Sequence, residues 1–134
     1  MATTTATLTL SSADLTGDAL ALTTIATLSK AGTATGMSET SGVGRKTTTA
    51  TAQYTLFDGN DYAATGSHKV YLKNTSSTSS EFFTLTVNAE EVGRLYAGDW
   101  AFLPWGAHDA DNDLKITPSV STTMTLEYML IYQA

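Results

Sequence analysis

Polar and apolar residues alternate along this chain in run after run, and this period of two limits the fold more than any other feature. In the run TMTLEYMLIY, one parity is apolar throughout: Met124, Leu126, Tyr128, Leu130 and Tyr132. Successive side chains of a strand point to opposite faces of a sheet, so the run predicts a strand with one buried face. Met129 and Ile131 make the other parity apolar as well, which predicts that both faces are covered at that end.

Threonine makes up about one residue in five. Its branched Cβ is unfavourable in helices and packs well on a pleated sheet, so the composition favours strands. Strand-like runs recur with turn residues between them, which predicts roughly eight to ten short strands. We therefore expect an all-β fold: an antiparallel β-sandwich, jelly-roll-like, with little helix. The one helical candidate, SSADLTGDALAL, has serines for a cap but is interrupted by Gly17.

Three regions carry more specific expectations. Ile25 is out of phase with the leucines of its run, which predicts a bulge near Thr23 and Thr24 or a strand covered on both faces. The runs HKVYLKN and EFFTLTV flank the polar segment TSSTSS and are interpreted as a hairpin. Gly98 supplies a turn residue with positive φ between EVGRLY and DWAFLPW, where we expect a hairpin or a sharp corner. Pro104 is expected to end the second of these runs, because proline cannot donate a hydrogen bond into a central ladder.

The length of 134 residues, without a linker-like change in composition, predicts one domain over residues 1–134, with residues 1–10 as a candidate N-terminal arm. The chain has no cysteine, which excludes disulfides and cysteine-ligated zinc. The first residues lack the features of a signal peptide, and no run approaches about 18 apolar residues. We therefore expect a protein that folds inside a cell and has no membrane partner.

The charge of the chain argues against nucleic acid as a partner. Its formal net charge is −6. The basic residues are scattered along the sequence: Lys30, Arg45, Lys46, Lys69, Lys73, Arg94 and Lys115. Nucleic-acid binding needs a basic patch that neutralises phosphates, and no such patch is indicated.

Both tryptophans lie in one short stretch, GRLYAGDWAFLPWGAHDADND. Trp100 and Trp105 have opposite parities, so at least one of them is expected to face away from the core. With Tyr96 and the Asp109–Asp113 loop they are candidates for a glycan-binding platform, in which aromatic rings stack on sugars. The alternative, which we favour, is that the tryptophans fill the core or a subunit interface.

Metal and catalytic motifs are weak. Asp109, Asp111 and Asp113 match the first ligand positions of an EF-hand loop, but the glycine and the final glutamate of that motif are missing. These three are weak metal candidates, and no metal or cofactor is predicted. Ser67 and His68 are sequence neighbours, which does not place them as nucleophile and base. No catalytic constellation is recognisable, so we expect the protein not to be an enzyme.

The runs VYLKNTSSTSSEFFTLTV, EVGRLYAGDWAFLPW and DLKITPSVSTTMTLEYMLIY resemble the C-terminal half of small virion proteins of tailed bacteriophages. These proteins are rich in threonine and serine, and the closest resemblance is to capsid decoration, or cement, proteins. It covers residues 68–132 and consists of turns and alternation. The shared features include the strand ending at Lys73 and Asn74, the turn at Gly98 and the strand ending at Pro104.

The resemblance implies a non-enzymatic protein that binds the outer surface of a capsid and stabilises or decorates it. The implied partners are the major capsid protein and further copies of this chain, most simply in a trimer, and the implied location is the virion surface after synthesis in the host cytoplasm. Candidate interface residues are Leu8, Leu10, Trp100, Trp105, Met129 and Ile131. The alternatives are a host-glycan-binding module that uses the Trp100 and Trp105 region, or another head–tail or fibre component.

Overall fold

The structure is a computed structural model that describes residues 3–15, 17–37 and 39–134. The chain divides into two compact units, Met1–Ser38 and Glu39–Ala134. The described residues form eleven strands and two short 3-10 turns, so the all-β class and the scarcity of helix are confirmed. No helix in these ranges has the length and apolar character that crossing a membrane would require.

The first unit contains one antiparallel hairpin of strands β1 (Thr4–Ser12) and β2 (Leu20–Leu28). Its register runs without a shift, so the bulge expected near Thr23 and Thr24 is absent. Ile25 pairs with Thr7 and lies on the opposite face from the leucines. After Ser12 the chain turns instead of forming a helix, since the Ser12 hydroxyl accepts hydrogen bonds from the Asp14 and Leu15 amides.

The second unit is a β-sandwich. Its strands are β3 (Glu39–Thr40), β4 (Gly44–Thr48), β5 (Tyr54–Phe57), β6 (His68–Asn74), β7 (Phe82–Val87), β8 (Glu90–Tyr96), β9 (Trp100–Trp105), β10 (Leu114–Pro118) and β11 (Met124–Tyr132). One sheet has the order β5-β10-β7-β8. In the other, β3 and β4 both pair with β11, followed by β6 and β9. All pairs are antiparallel, and the sandwich prediction is confirmed, while jelly-roll connectivity remains a prediction.

Alternating side chains of the two sheets form the core. Its buried members are Phe57, Val70, Leu72, Phe83, Leu85, Leu95, Trp105, Ala107, Leu114, Ile116, Met124, Leu126 and Leu130. The apolar parity predicted for β11 packs into this core, with Tyr128 and Tyr132 at its margin. On the other face of β11, Ile131 is buried and Met129 is half-buried.

The predicted hairpin of β6 and β7 is wrong. These strands lie in different sheets, and the segment 75–81 between them crosses the sandwich. The β8–β9 connection crosses it too, so Gly98, with φ of 84°, forms the corner and not a hairpin. The hairpin in this region joins β7 and β8 through a two-residue turn at Asn88 and Ala89. Alternation records which face is buried but not which strand is the neighbour, and this explains the error.

Asn74 stabilises the end of the sandwich at which the chain passes from one sheet to the other in both the β6–β7 and the β8–β9 connections. Its side chain is fully buried, and its Nδ2 donates to the carbonyls of Glu81, at 3.2 Å, and Leu95, at 3.0 Å. Its Oδ1 accepts from the Ser76 amide at 3.0 Å. The side-chain amide therefore joins the end of β6 to the first crossing segment and to β8, and its hydrogen-bonding groups are satisfied. The backbone of Asn74 bonds the second crossing, since its carbonyl accepts from the Gly98 amide and its amide donates to the Asp99 carbonyl, both at 3.0 Å.

Asn74→Asp tests this role because it keeps the shape and removes both donors. A carboxylate would then face two carbonyl oxygens in the core, so we expect the free energy of unfolding to fall by about 3 kcal/mol or more. Denaturant unfolding followed by tryptophan fluorescence measures this. Gln53→Glu makes the same amide-to-carboxylate change at an exposed site and is the control, with an expected loss below about 1 kcal/mol. Equal losses in the two variants would contradict the role of Asn74.

Ala89 offers a second test, since its φ of 60° is left-handed and lies beside Asn88 with φ of 51°. Two left-handed residues are what a tight two-residue hairpin turn requires, and glycine takes the second position without steric cost. We expect Ala89→Gly to raise the free energy of unfolding by about 1 kcal/mol. Ala52→Gly, at an exposed site where φ is not positive, should lower it instead. A loss of stability from Ala89→Gly would contradict the argument.

Candidate functional site

Trp105 belongs to the core. Its side chain is 4% exposed, and its indole nitrogen donates to the Asn112 carbonyl at 2.8 Å. Its ring lies 5.9 Å from that of Phe57, 5.5 Å from Tyr62 and 5.8 Å from His68, measured between ring centres. The prediction that Trp105 contacts a partner therefore needs correction, because the side chain is enclosed by its own subunit.

His68 is also a structural residue. Its Nδ1 accepts from the Gln133 amide at 3.3 Å, so the proton is on Nε2, which donates to the Ala63 carbonyl at 2.9 Å. Both ring nitrogens are thus occupied. The Ser67 hydroxyl accepts from Lys69 and makes no hydrogen bond to His68. These contacts give the Ser67–His68 neighbourhood a role in packing the end of β6.

The aspartate loop is held by its own hydrogen bonds. Asp109 Oδ1 accepts from the Asp111 amide at 3.0 Å, which begins a 3-10 turn at Ala110–Asn112. Asp113 is buried, accepts from the Gly59 amide at 2.8 Å and lies 3.5 Å from the Lys115 ammonium. No group of three or more possible metal ligands occurs in the described part of the chain. The weak metal candidates Asp109, Asp111 and Asp113 are therefore not brought together as a cluster.

One exposed surface combines aromatic and charged side chains on the outside of the β11-β6-β9 sheet. We call it the outer aromatic face, and its members are Tyr71, Lys73, Trp100, Phe102, Glu127 and Met129. The register pairs Lys73 with Trp100 and Tyr71 with Phe102 across β6 and β9. Directly opposed residues share a face of the sheet, so these side chains form two adjacent rows. Trp100 is 52% exposed and Phe102 is 37% exposed.

The charged residues of this face hold Tyr71 in place. Glu127 makes an ion pair with Arg45 at 3.2 Å and accepts from the Tyr71 hydroxyl, also at 3.2 Å. Burial raises the pKa of Tyr71, and the hydrogen bond to Glu127 raises it further, so the phenol remains a donor. Lys73 pairs in register with both Glu127 and Trp100. The face therefore offers a fixed tyrosine and an exposed indole beside a cation.

The predicted glycan platform is only partly brought together. Tyr96 lies on β8, in the other sheet, and packs against Phe82 with ring centres 5.0 Å apart. The Asp109–Asp113 loop follows the far end of β9 from Trp100, and Trp105 is buried. Among the candidate interface residues of this unit, Trp100 is exposed and Met129 is half-buried beside Tyr71. Ile131 is only 8% exposed, which leaves little of it for a partner.

The first hairpin carries a second exposed surface, which we call the leucine face. Its members are Ala6, Leu8, Leu10, Leu20, Leu22, Ala26 and Leu28, which the register places on one side of the hairpin. Leu10 and Leu22 are directly opposed and are 44% and 46% exposed. Leu8 and Leu20 are half-buried and Leu28 is buried. The other side is mostly threonine, with Ile25 exposed in its middle.

The strands of this hairpin also lack the usual protection of exposed β-structure. Neither β1 nor β2 contains a charged residue or a proline. Among the outermost strands of the sandwich, β8 carries Glu90, Glu91 and Arg94 and β9 carries Pro104, while β5 has neither a charge nor a proline but is only four residues long. Charges and prolines on outer strands discourage association with other chains. The hairpin therefore has the longest strands of the described chain that lack this protection.

The comparisons with known proteins add no relative. No protein-family model matches the chain, and neither the curated proteins nor the solved structures contain a significant match to it.

Sequence reasoning placed Trp100, Leu8 and Leu10 among the contact residues but missed three of their companions. Phe102 shares the parity of Trp100, which places the two side chains on one face, but it was not named as a contact residue. Tyr71 stands between two lysines on the polar side of β6, and only the β6–β9 register joins it to Phe102. The opposition of Leu10 to Leu22 likewise depends on the hairpin register.

Proposed function

We propose that this chain is a non-enzymatic structural protein of a phage virion, which binds the outer surface of the capsid and stabilises or decorates it as a homo-oligomer. The observation that carries the proposal is the leucine face of the first hairpin. The resemblance to decoration proteins implies that the partner is the capsid and that the oligomer is a trimer.

An isolated two-stranded hairpin is marginally stable in water, and a stable one needs a third strand or a packed face. Here Leu10 and Leu22 remain almost half exposed, side by side, on strands without charge. Exposed apolar surface of this kind is typical of proteins that assemble, because association removes it from water. An assembly subunit explains the surface without assigning any catalytic residue, and His68 and Asp113 already make structural contacts.

Binding to capsids tests the proposal directly. We expect the full chain to co-sediment with heads that are assembled from the shell protein of the same virion and lack decoration. Binding should saturate, and electron microscopy of the decorated heads should show added density at positions repeated over the capsid lattice. Tails of the same virion are the control. Binding to tails alone would favour a tail or fibre component, and binding to neither would contradict the proposal.

Glycan binding is a second candidate function, and the exposure of Trp100 beside Phe102 and Tyr71 favours it. A flat row of aromatic side chains with polar groups next to it can stack on sugar rings and hydrogen bond to their hydroxyls. Lys73 makes the acidic sugars of a host surface the most suitable members of this class, since its ammonium would pair with their carboxylates.

Tryptophan fluorescence tests this second function, because one indole is exposed and the other is enclosed. A panel of neutral and acidic host-surface oligosaccharides would be titrated into the full chain. If glycans bind, the emission should change on titration, Trp100→Ala should abolish the change, and Trp105→Phe should keep it. Lys73→Gln should weaken the response to acidic sugars by about tenfold. No response to any sugar, or a response that survives Trp100→Ala, would rule out this use of the outer aromatic face.

A further inference from the structure

We infer that the leucine face of the first hairpin is a self-association surface, covered in solution by the same face of a second copy of this chain. The inference rests on the homo-oligomer of the proposed function and names one surface through which copies meet. A contact between identical faces joins two copies, so a trimer would need a further contact elsewhere on the chain. It uses only the first unit and assigns no role to the outer aromatic face.

The first argument is the distribution of apolar groups between the two sides of the hairpin. The five leucines of the two strands lie on one side with Ala6 and Ala26, and the other side is mostly threonine, with Ala21 and the exposed Ile25 among them. A face with this contrast is built to be covered on one side and to meet water on the other. On this face the Leu10–Leu22 pair lies one pair in from Ser12 and Leu20, towards the turn end of the hairpin, and both of its leucines are exposed. A partner must therefore reach that end.

The second argument is charge. The chain carries a net charge of −6, yet neither β1 nor β2 contains a charged residue. The nearest acidic residues, Asp14 and Asp18, lie in the connection between the two strands. Two copies can therefore bring their leucine faces together without placing like charges in the contact, and neither copy has to strip water from an ionised group. A charged partner surface would lose hydration against this face and gain no ion pair in return.

The third argument is size, and it sets the strength of the contact. A face of two nine-residue strands measures about 30 Å by about 10 Å. One copy would therefore bury on the order of 300 Å², less than half of the roughly 800 Å² per partner in a stable interface. We expect association through this face alone to be weak and to depend on concentration. It becomes effective when a capsid lattice holds copies close together.

The test compares two cross-strand pairs of the same hairpin in the full chain. Leu10→Asp with Leu22→Asp places charges on the leucine face. Thr7→Asp with Ile25→Asp places the same charges on the opposite side, also at a directly opposed pair. Sedimentation velocity over a range of concentrations measures the average mass, which for one copy is 14.1 kDa. We expect the mass to rise with concentration for the wild type and for the Thr7 and Ile25 variant. The Leu10 and Leu22 variant should raise the dissociation constant at least about tenfold.

A second readout avoids substitutions that could unfold the hairpin. The chain has no cysteine, so a single introduced thiol reports one position. Leu22→Cys should form an intermolecular disulfide on mild oxidation at least about tenfold faster than Ile25→Cys, because only the former lies in the contact. Near-ultraviolet circular dichroism of the aromatic side chains checks that the sandwich is intact, and far-ultraviolet circular dichroism checks that the strand content, including that of the hairpin, is unchanged in every variant.

The outcomes separate this inference from the proposed function. A wild type that stays at 14.1 kDa at every concentration, or equal cross-linking at both positions, would overturn self-association. So would a Leu10 and Leu22 variant that keeps the wild-type mass and loses capsid binding, since the face would then meet the shell protein. Self-association without capsid binding would support the inference and contradict the proposed function.

Discussion

The buried amide of Asn74 is the interaction on which the arrangement of the sandwich depends. Two crossings between the sheets meet at its end of the molecule, and apolar packing cannot fix where they lie, because hydrophobic contact has no direction. The amide supplies direction, with two donors aimed at the carbonyls of Glu81 and Leu95 and an acceptor aimed at Ser76. In a core where an unmet hydrogen bond is costly, these contacts favour one path of the chain over others. The outer aromatic face depends on that path, since it sets β9 beside β6.

The two units differ in the surroundings of the apolar side chains that they leave exposed. In the sandwich, Trp105, His68 and Asp113 all find hydrogen-bond partners within the subunit. No buried polar side-chain atom among the described residues is left without one. The hairpin has complete backbone pairing between its strands and an apolar face that remains partly in water. Its exposed leucines stand on uncharged strands, whereas the exposed rings of the outer aromatic face stand beside Lys73, and we therefore propose assembly for the hairpin and ligand recognition for the sandwich.

Much of the sandwich could be predicted from alternation, because one parity of a strand must be apolar when one face is buried. The inward side chains of β6, β7 and β11 were identified in this way, and so were the opposite directions of the two tryptophans. The candidate site was predicted less well. Trp100, Trp105 and Tyr96 were grouped because they are close in sequence, yet one lies in the core and the other two belong to different sheets. Residues that are close in sequence need not lie on one surface. Successive side chains of a strand point to opposite faces of the sheet, and a corner in the chain moves the next strand into the other sheet.

The sequence by itself determined the β class, the core parity of the main strands, the uncharged character of β1 and β2 and the turn at Gly98. These properties follow from local rules of side-chain direction and backbone conformation. The tertiary structure alone decided which strands are neighbours, that β6 and β7 part into different sheets, and that Tyr71 lies beside Phe102 while Leu10 lies beside Leu22. Neighbours of this kind depend on hydrogen-bond register and on packing across the whole core. Many registers satisfy the same alternation, and only the complete set of contacts selects one of them.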